Sequence, residues 1–337
     1  MRFVSPLLKH VVYPTIGRTG WIQRSLPASG CAVVNYHGVL PDGYSTCDAF
    51  LDGNLVSRET LRRQIRLLKN RYNVVSPDEF HNWIAGHGEL PTRAVLITCD
   101  DGLLNTLTDM LPILASEDVR CIFFVLGLSC RPENASLWYE DLYFCLANER
   151  NGIGDSKRVS TDLRARWWQA VQEMSGLDFA EREDRIRKFG TRREQNENCA
   201  SVRRWSLLNA DQLKLLHSSG MEIGSHTLSH PVLSACSEDL ARREIEESKP
   251  DLENLLNKPV WAFAYPFGNP GTMGDREVRL AREAGFACAF VNTGGGNVDR
   301  SQPFRLSRTH VTADMNLAEF EAHVSGLHNR LQRAVLG

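Results

Sequence analysis

The sequence predicts an α/β protein whose strands share one sheet, closed or nearly closed into a barrel, and three observations predict it. Apolar runs of strand length recur without polar alternation, as at Ala94–Cys99 and Cys121–Leu126, which is how strands buried on both faces of a parallel sheet read. Stretches with helical spacing lie between them, so strand and helix alternate along the chain. Polar clusters follow several of the runs directly, where α/β folds gather their functional loops. At 337 residues the chain has room for two domains or for one barrel of about 250 residues with attachments, and the repeated βα rhythm favours the barrel.

Composition narrows the function classes. With 39 Lys plus Arg against 41 Asp plus Glu, the formal net charge is −2, and 42% of the residues are hydrophobic. That balance excludes a disordered, collagen-like or membrane-spanning chain and offers no general attraction for nucleic acid, so none is expected as a partner. The nine cysteines are odd in number and widely scattered, with no CxxC pair. They read as reduced thiols of a cytoplasmic protein rather than a disulfide framework or a zinc cluster.

Residues 1–30 form a basic lead with Arg2, Lys9, Arg18 and Arg24 and no acid, interrupted by Pro6 and Pro14. It lacks a convincing apolar core and cleavage site, so no signal peptide is expected. It reads as a tail packed on the domain or, with Trp21, as an interfacial segment giving peripheral contact with an anionic inner membrane face. The main domain spans 31–315. Cys31–Tyr36 is a strand running into His37 and a loop. Ser57 caps a helix through Leu61, Ile65 and Leu68, a strand follows at 72–75, and Pro77 opens a short helix. The Ala94–Cys99 strand, a helix through Leu107, Leu111 and Leu114, and the strand at 121–126 make a βαβ unit. From about 140 to 205 the strands vanish. Mixed-sign runs such as Glu181–Arg185 and Arg192–Glu194 mark a largely helical insertion whose charges are expected to form a solvated face. The rhythm then resumes: helix 211–218, strand 221–224, helix 240–256, strand 260–264, helix 276–284 and strand 286–290. Residues 316–337 form a C-terminal helix.

Three clusters follow strands. In Thr98-Cys99-Asp100-Asp101-Gly102, adjacent carboxylates repel unless a cation or shared proton relieves them. In Ser225-His226-Thr227-Leu228-Ser229-His230, histidines at i and i+4 share one face of a helical turn and can meet at one metal ion. With a carboxylate from another strand end they supply an Asp/His/His set with open positions. Tyr265-Pro266-Phe267-Gly268 is a turn able to aim backbone N–H groups. Each cluster also has a plainer reading as a loop, a chance pair or a turn.

TCDDG, SHTLSHP and AYPFG in this order, with βα units between them, resemble the polysaccharide deacetylase family, the carbohydrate esterases with a NodB homology domain. The similarity runs from about Ala32 to Val311 and includes YHGV, Trp138-Tyr139, the 244–252 stretch and FRLSR at 304–308. The opening Tyr36-His37 points to a YH-leading branch. The resemblance implies a distorted (β/α) barrel, usually of fewer than eight strands, that removes N-acetyl groups from sugars with a divalent metal: zinc, or cobalt, nickel or manganese. Asp101, His226 and His230 would hold the metal, Asp100 would be the base on its water, and the Phe267 N–H would meet the oxyanion.

Two departures from the family pattern matter. Ala264 stands where many members carry an arginine that orients the catalytic aspartate, and Arg308, or else Arg305, is expected to replace it. The usual late acid histidine has no clear match; His37 is expected to fill that role, with His310 in reserve. Cys99 is expected to be a packing residue. The remaining histidines (His10, His81, His87, His217, His323, His328) are assigned to surface or packing, and Trp138 and Tyr139 to sugar stacking or to the core. The expected substrate is an N-acetylated oligosaccharide, exopolysaccharide precursor or lipid-linked sugar. A formamido-sugar deformylase or other amide hydrolase, and a non-catalytic glycan-binding relative, remain as alternatives.

Overall fold

The computed structural model describes residues 6–18, 30–46, 48–131, 136–148, 156–189 and 199–336. Among the described residues nine strands form one sheet: β1 (Cys31–Tyr36), β2 (Asn73–Val74), β3 (Ala94–Cys99), β4 (Ile122–Val125), β5 (Glu222–Ser225), β6 (Ala262–Ala264), β7 (Cys288–Val291), β8 (Leu306–Ser307) and β9 (Thr309–His310). Their order is β8-β7-β6-β5-β4-β3-β1-β9, with β2 beside the start of β3. Every strand pair is parallel. β1 and β3 are buried at all six positions each, as the unbroken apolar runs require of a sheet covered on both faces.

The segment from Leu306 to His310 closes the ring. Its first half pairs with β7 (Phe290 opposite Leu306) and its second half with β1 (Asn35 opposite His310). Arg308 sits at the changeover, its N–H on the Val291 carbonyl at 3.0 Å, and Val311 N–H reaches the Asn35 carbonyl at 3.0 Å. The result is the nearly closed (β/α) barrel the sequence predicts.

Several helices start as expected. The Ser57 side chain accepts from Thr60 N–H at the head of Arg58–Arg71, and Ser76 and Glu79 form a reciprocal capping box before Pro77–Ile84. Others differ for identifiable reasons. The helix through Leu107 begins as a π-helical turn, Thr106–Met110, before Leu111–Ser116; Pro112 has no N–H for the Thr108 carbonyl, so the regular ladder breaks there. The helix expected over 240–256 is two, Glu238–Glu246 and Ser248–Leu256. Pro250 removes the donor for the Glu246 carbonyl and forces the break. The C-terminal helix is likewise two, Leu317–Val324 and Leu327–Leu336, divided at Gly326 with φ 70°.

The insertion is helical: Trp138–Asn148, Ser156–Ser175, Phe179–Phe189 and Cys199–Trp205. It has its own apolar cluster, in which Trp138, Leu142, Trp167, Val171 and Trp205 pack on Leu51 and Val232 of the barrel loops. The expectation of a solvated charged face fails at Arg182 and Arg204, both fully buried; the run at Arg192–Glu194 lies outside the described residues. Of the lead, residues 8–18 pack on Leu317–Val324, with Tyr13 buried and its hydroxyl 2.5 Å from His328 Nδ1. Arg2, Trp21 and Arg24 lie outside the described residues. Among the described residues no helix is long and apolar enough to cross a membrane.

Candidate active site

Left-handed backbone gathers at the C-terminal ends of the strands. Asp101 (φ 73°) and Gly102 (φ 71°) turn the chain after β3, Thr227 (φ 67°) and His230 (φ 61°) shape the loop after β5, and Phe267 (φ 60°) and Gly268 (φ 61°) follow β6. Non-glycine residues pay for such backbone in conformational energy, and it persists where surrounding contacts over-determine it. A Cβ on Gly268 would lie 2.9 Å from Asn292 N, so this turn needs both the φ and the missing side chain.

The i, i+4 geometry expected of the histidines is not helical. His226 follows directly on β5 and His230 ends an irregular loop, so the turn rather than a helix face brings them together. Their rings lie 4.9 Å apart. Asp101 Oδ1 is 3.6 Å from His226 Nε2 and 3.3 Å from His230 Nε2, and all three residues are buried. His226 Nδ1 is 2.7 Å from the Ala264 carbonyl, which only accepts; the ring proton is therefore on Nδ1 and Nε2 presents its lone pair to Asp101. Burial lowers the His230 pKa against the pull of Asp101, which keeps that imidazole neutral and able to donate electrons. Asp101 Oδ1 has no hydrogen-bond partner. Converging acceptors of this kind repel one another and fit a divalent cation; among the described residues they are the group suited to one.

Beneath this trio Asp100 is held from two sides. Arg308 Nη1 donates to Oδ1 and Nη2 to Oδ2, each at 2.7 Å, a two-pronged pairing that suits a planar guanidinium. Asn35 Nδ2 donates to Oδ2 at 2.8 Å, and Asn35 Oδ1 accepts from Arg308 Nη1 and Thr98 Oγ1, both at 3.0 Å. Burial pushes the Asp100 carboxyl up, but the charge and hydrogen bonds of the Arg308 guanidinium outweigh it and leave the pKa below the ordinary range. Arg305 points elsewhere, to Asp275 on the surface. Thus Arg308, and not Arg305, stands where Ala264 cannot serve.

His37 Nε2 is 3.9 Å from Asp100 Oδ2. His310 lies beside it, ring centroids 4.7 Å apart, and its Nε2 is 3.2 Å from Asn54 Oδ1. Burial, with His37 alongside, pushes the His310 pKa down to about 3. Cys99 is fully buried, as expected of a packing residue. Of the two aromatics, Trp138 belongs to the core, its Nε1 donating to the His230 carbonyl at 3.1 Å, whereas Tyr139 faces the cavity.

That cavity holds about 930 Å³, ample for more than one ring of a polar ligand. His37, Asp101, His226, His230, Phe267 and His310 all border it. The insertion lines one side with Tyr139, Trp167 and Trp168; Lys9, Glu319 and His323 lie on another. The lead therefore contributes to the cavity through Lys9, which pairs with Asp314 at 2.9 Å and Glu319 at 3.1 Å. His323 was expected only as surface or packing; it stacks on His328 at 4.0 Å and also faces the cavity. Asn35 and Thr98 were missed as site residues, although a polar side chain inside a fully buried strand must find a partner and so carries a legible signal.

The sequence profile of the polysaccharide deacetylase family matches residues 187–289. YxkH of Bacillus subtilis (strain 168), named for the same family, is 25% identical over 121 residues, which cover 36% of this chain and 42% of that protein. The matched stretch is thus under half of that relative's length. Among solved structures, the Streptococcus pyogenes deacetylase PplD, in complex with acetate, superposes with a TM-score of 0.58 at 17% identity, over 88% of this chain and 99% of that one. IcaB from Ammonifex degensii gives 0.56 at 20% identity, over 88% and 97%. Residues 187–289 thus match the polysaccharide deacetylase family, and the chain as a whole shares the fold of these solved structures.

Proposed function

We propose that the protein hydrolyses the N-acetyl amide of an N-acetylated saccharide, with Asp101, His226 and His230 holding a divalent cation. The observation that carries this reading is the pairing of two sets through adjacent residues: an Asp101/His226/His230 trio that borders the cavity and, one residue before Asp101, a second aspartate gripped by Arg308. Zinc, cobalt, nickel and manganese all suit such donors. When bound, the cation supplies Lewis acidity toward an amide carbonyl and toward water.

The chain's own residues do the rest. Asp100, kept ionised by Arg308, accepts the proton of the attacking water. The Phe267 N–H, presented by the left-handed turn after β6, donates to the carbonyl oxygen as negative charge builds there. His37, next to Asp100 at the cavity wall, gives a proton to the departing nitrogen. The C–N bond breaks, and acetate and the free amino sugar leave. Tyr139, Trp167 and Trp168 offer flat apolar faces to the sugar rings.

Acetate and formate release from N-acylated oligosaccharides and lipid-linked sugars tests this, with and without added zinc or cobalt, for wild type and Asp100→Asn. The reading expects metal-dependent acetate release, reduced by at least about 10²-fold in the variant, the scale of a lost general base. Formate alone would replace the acyl group in the reading. Glycan binding without turnover in metal-loaded protein would make the chain a binding relative.

A further inference from the structure

The helical insertion reaches under the histidine loop. Arg182, on the helix Phe179–Phe189, is completely buried, and all three of its guanidinium nitrogens are engaged. Nε donates to the Met174 carbonyl at 3.3 Å and Nη2 to the Leu177 carbonyl at 3.1 Å, which fixes the head group inside the insertion. Nη1 reaches out of it, donating to Ser229 Oγ at 2.9 Å and to the Ser229 carbonyl at 3.3 Å. Ser229 is one of the two residues between the left-handed positions and stands immediately before His230. Its N–H donates to Glu244 Oε2 at 2.8 Å and its hydroxyl to Glu244 Oε1, and Arg182 Nη2 lies 3.9 Å from that carboxylate as its counter-charge. The guanidinium also covers the Trp138 ring at 4.7 Å, the same indole that donates to the His230 carbonyl.

Two side chains of the insertion thus grip consecutive peptides of the loop that carries both histidines. A loop with left-handed Thr227 and His230 relaxes to easier backbone unless it is tied down, and relaxation would turn the imidazoles away from Asp101. We propose that Arg182 is a positioning residue for the metal: by fixing the Ser229 peptide it holds His226 and His230 with both Nε2 atoms toward Asp101. The insertion is then part of the metal site's frame and not an appended module. This rests on reading Asp101, His226 and His230 as the cation site.

The test is calorimetric titration of metal-free protein with zinc chloride, for wild type, Arg182→Gln and Ser229→Ala, together with the visible spectrum of each protein loaded with cobalt. Outer groups that orient metal ligands typically contribute about 10- to 100-fold in affinity. Arg182→Gln is expected to weaken zinc binding within that range and to alter the cobalt bands, and Ser229→Ala to weaken it less. A variant with a lower melting temperature but wild-type zinc affinity and cobalt spectrum would give Arg182 a structural role only and overturn the proposal. Should Arg182→Gln not fold, unchanged affinity in Ser229→Ala, which merely trims a hydroxyl, overturns it equally. Wild type that takes up neither zinc nor cobalt would instead defeat the metal reading on which the proposal stands.

Discussion

Arg308 joins parts of the chain 208 and 273 residues away, Asp100 and Asn35, in one buried network. Lysine there would keep the charge but lose the fork, since an ammonium is a point donor and cannot span both carboxylate oxygens. Arg308→Lys should therefore lower kcat for acetate release by about tenfold or more, the scale of one charge-assisted hydrogen bond, with KM little changed; equal kcat values would separate Arg308 from catalysis. At this scale the sequence carried the short-range information well. Asp100, Asp101, His226 and His230 stand in recognisable clusters, and the alanine at Ala264 directs attention to Arg308 as the partner of Asp100. Asn35, Thr98 and Arg182 escaped because their significance lies in distant partners: Asn35 and Asp100 are 65 positions apart, Arg182 and Ser229 47. Neighbouring letters do not record such contacts.

The elements were legible where one rule dominated and not where two competed. Unbroken apolar runs became buried parallel strands, Ser57 became a cap and Pro77 opened its helix. Helical periodicity misled at the histidine loop, where left-handed backbone at Thr227 and His230 overrides a spacing that looks helical. It misled again in the insertion, because a mixed-charge helix ordinarily faces water, yet two of its arginines point inward. Arg204 shows the energetic difference. It is fully buried, donating to Asp52 at 2.7 Å and Glu140 at 2.9 Å, and so ties the insertion to the segment after β1. Arg204→Met would strand two buried carboxylates and should cost about 3–5 kcal/mol in urea unfolding. Arg279→Ala, which removes solvent-screened pairs with Glu238 and Glu283, should cost far less. Comparable losses in the two variants would contradict this division by burial.

For the whole molecule, alternate strand positions feed two apolar clusters of the barrel, one with Val34, Ile97 and Phe123 and one with Val33, Leu96 and Phe124, and a further cluster serves the insertion. The nearly closed barrel was legible from rhythm, but the segment that closes it was not. Strands of two residues, Leu306–Ser307 and Thr309–His310, are too short to show a period, and only the three-dimensional path makes them a bridge between β7 and β1.

That bridge also sets a timetable. Synthesis proceeds from the N-terminus, and structure can form as the chain emerges, so the residues proposed to hold metal are all present well before Arg308 exists. Contacts between β1 and β9 belong to the costly, non-local kind that close late. A nascent chain arrested short of Leu306 is accordingly expected to be an open, protease-sensitive sheet with no acetate release, and chains arrested with the bridge and the C-terminal helices free of the ribosome to gain resistance and turnover together. Limited proteolysis and acetate assays on such arrested chains would read both; turnover without the bridge would uncouple them. The segment from Leu306 onward would thus act as a completion check, withholding hydrolysis until the ring is closed.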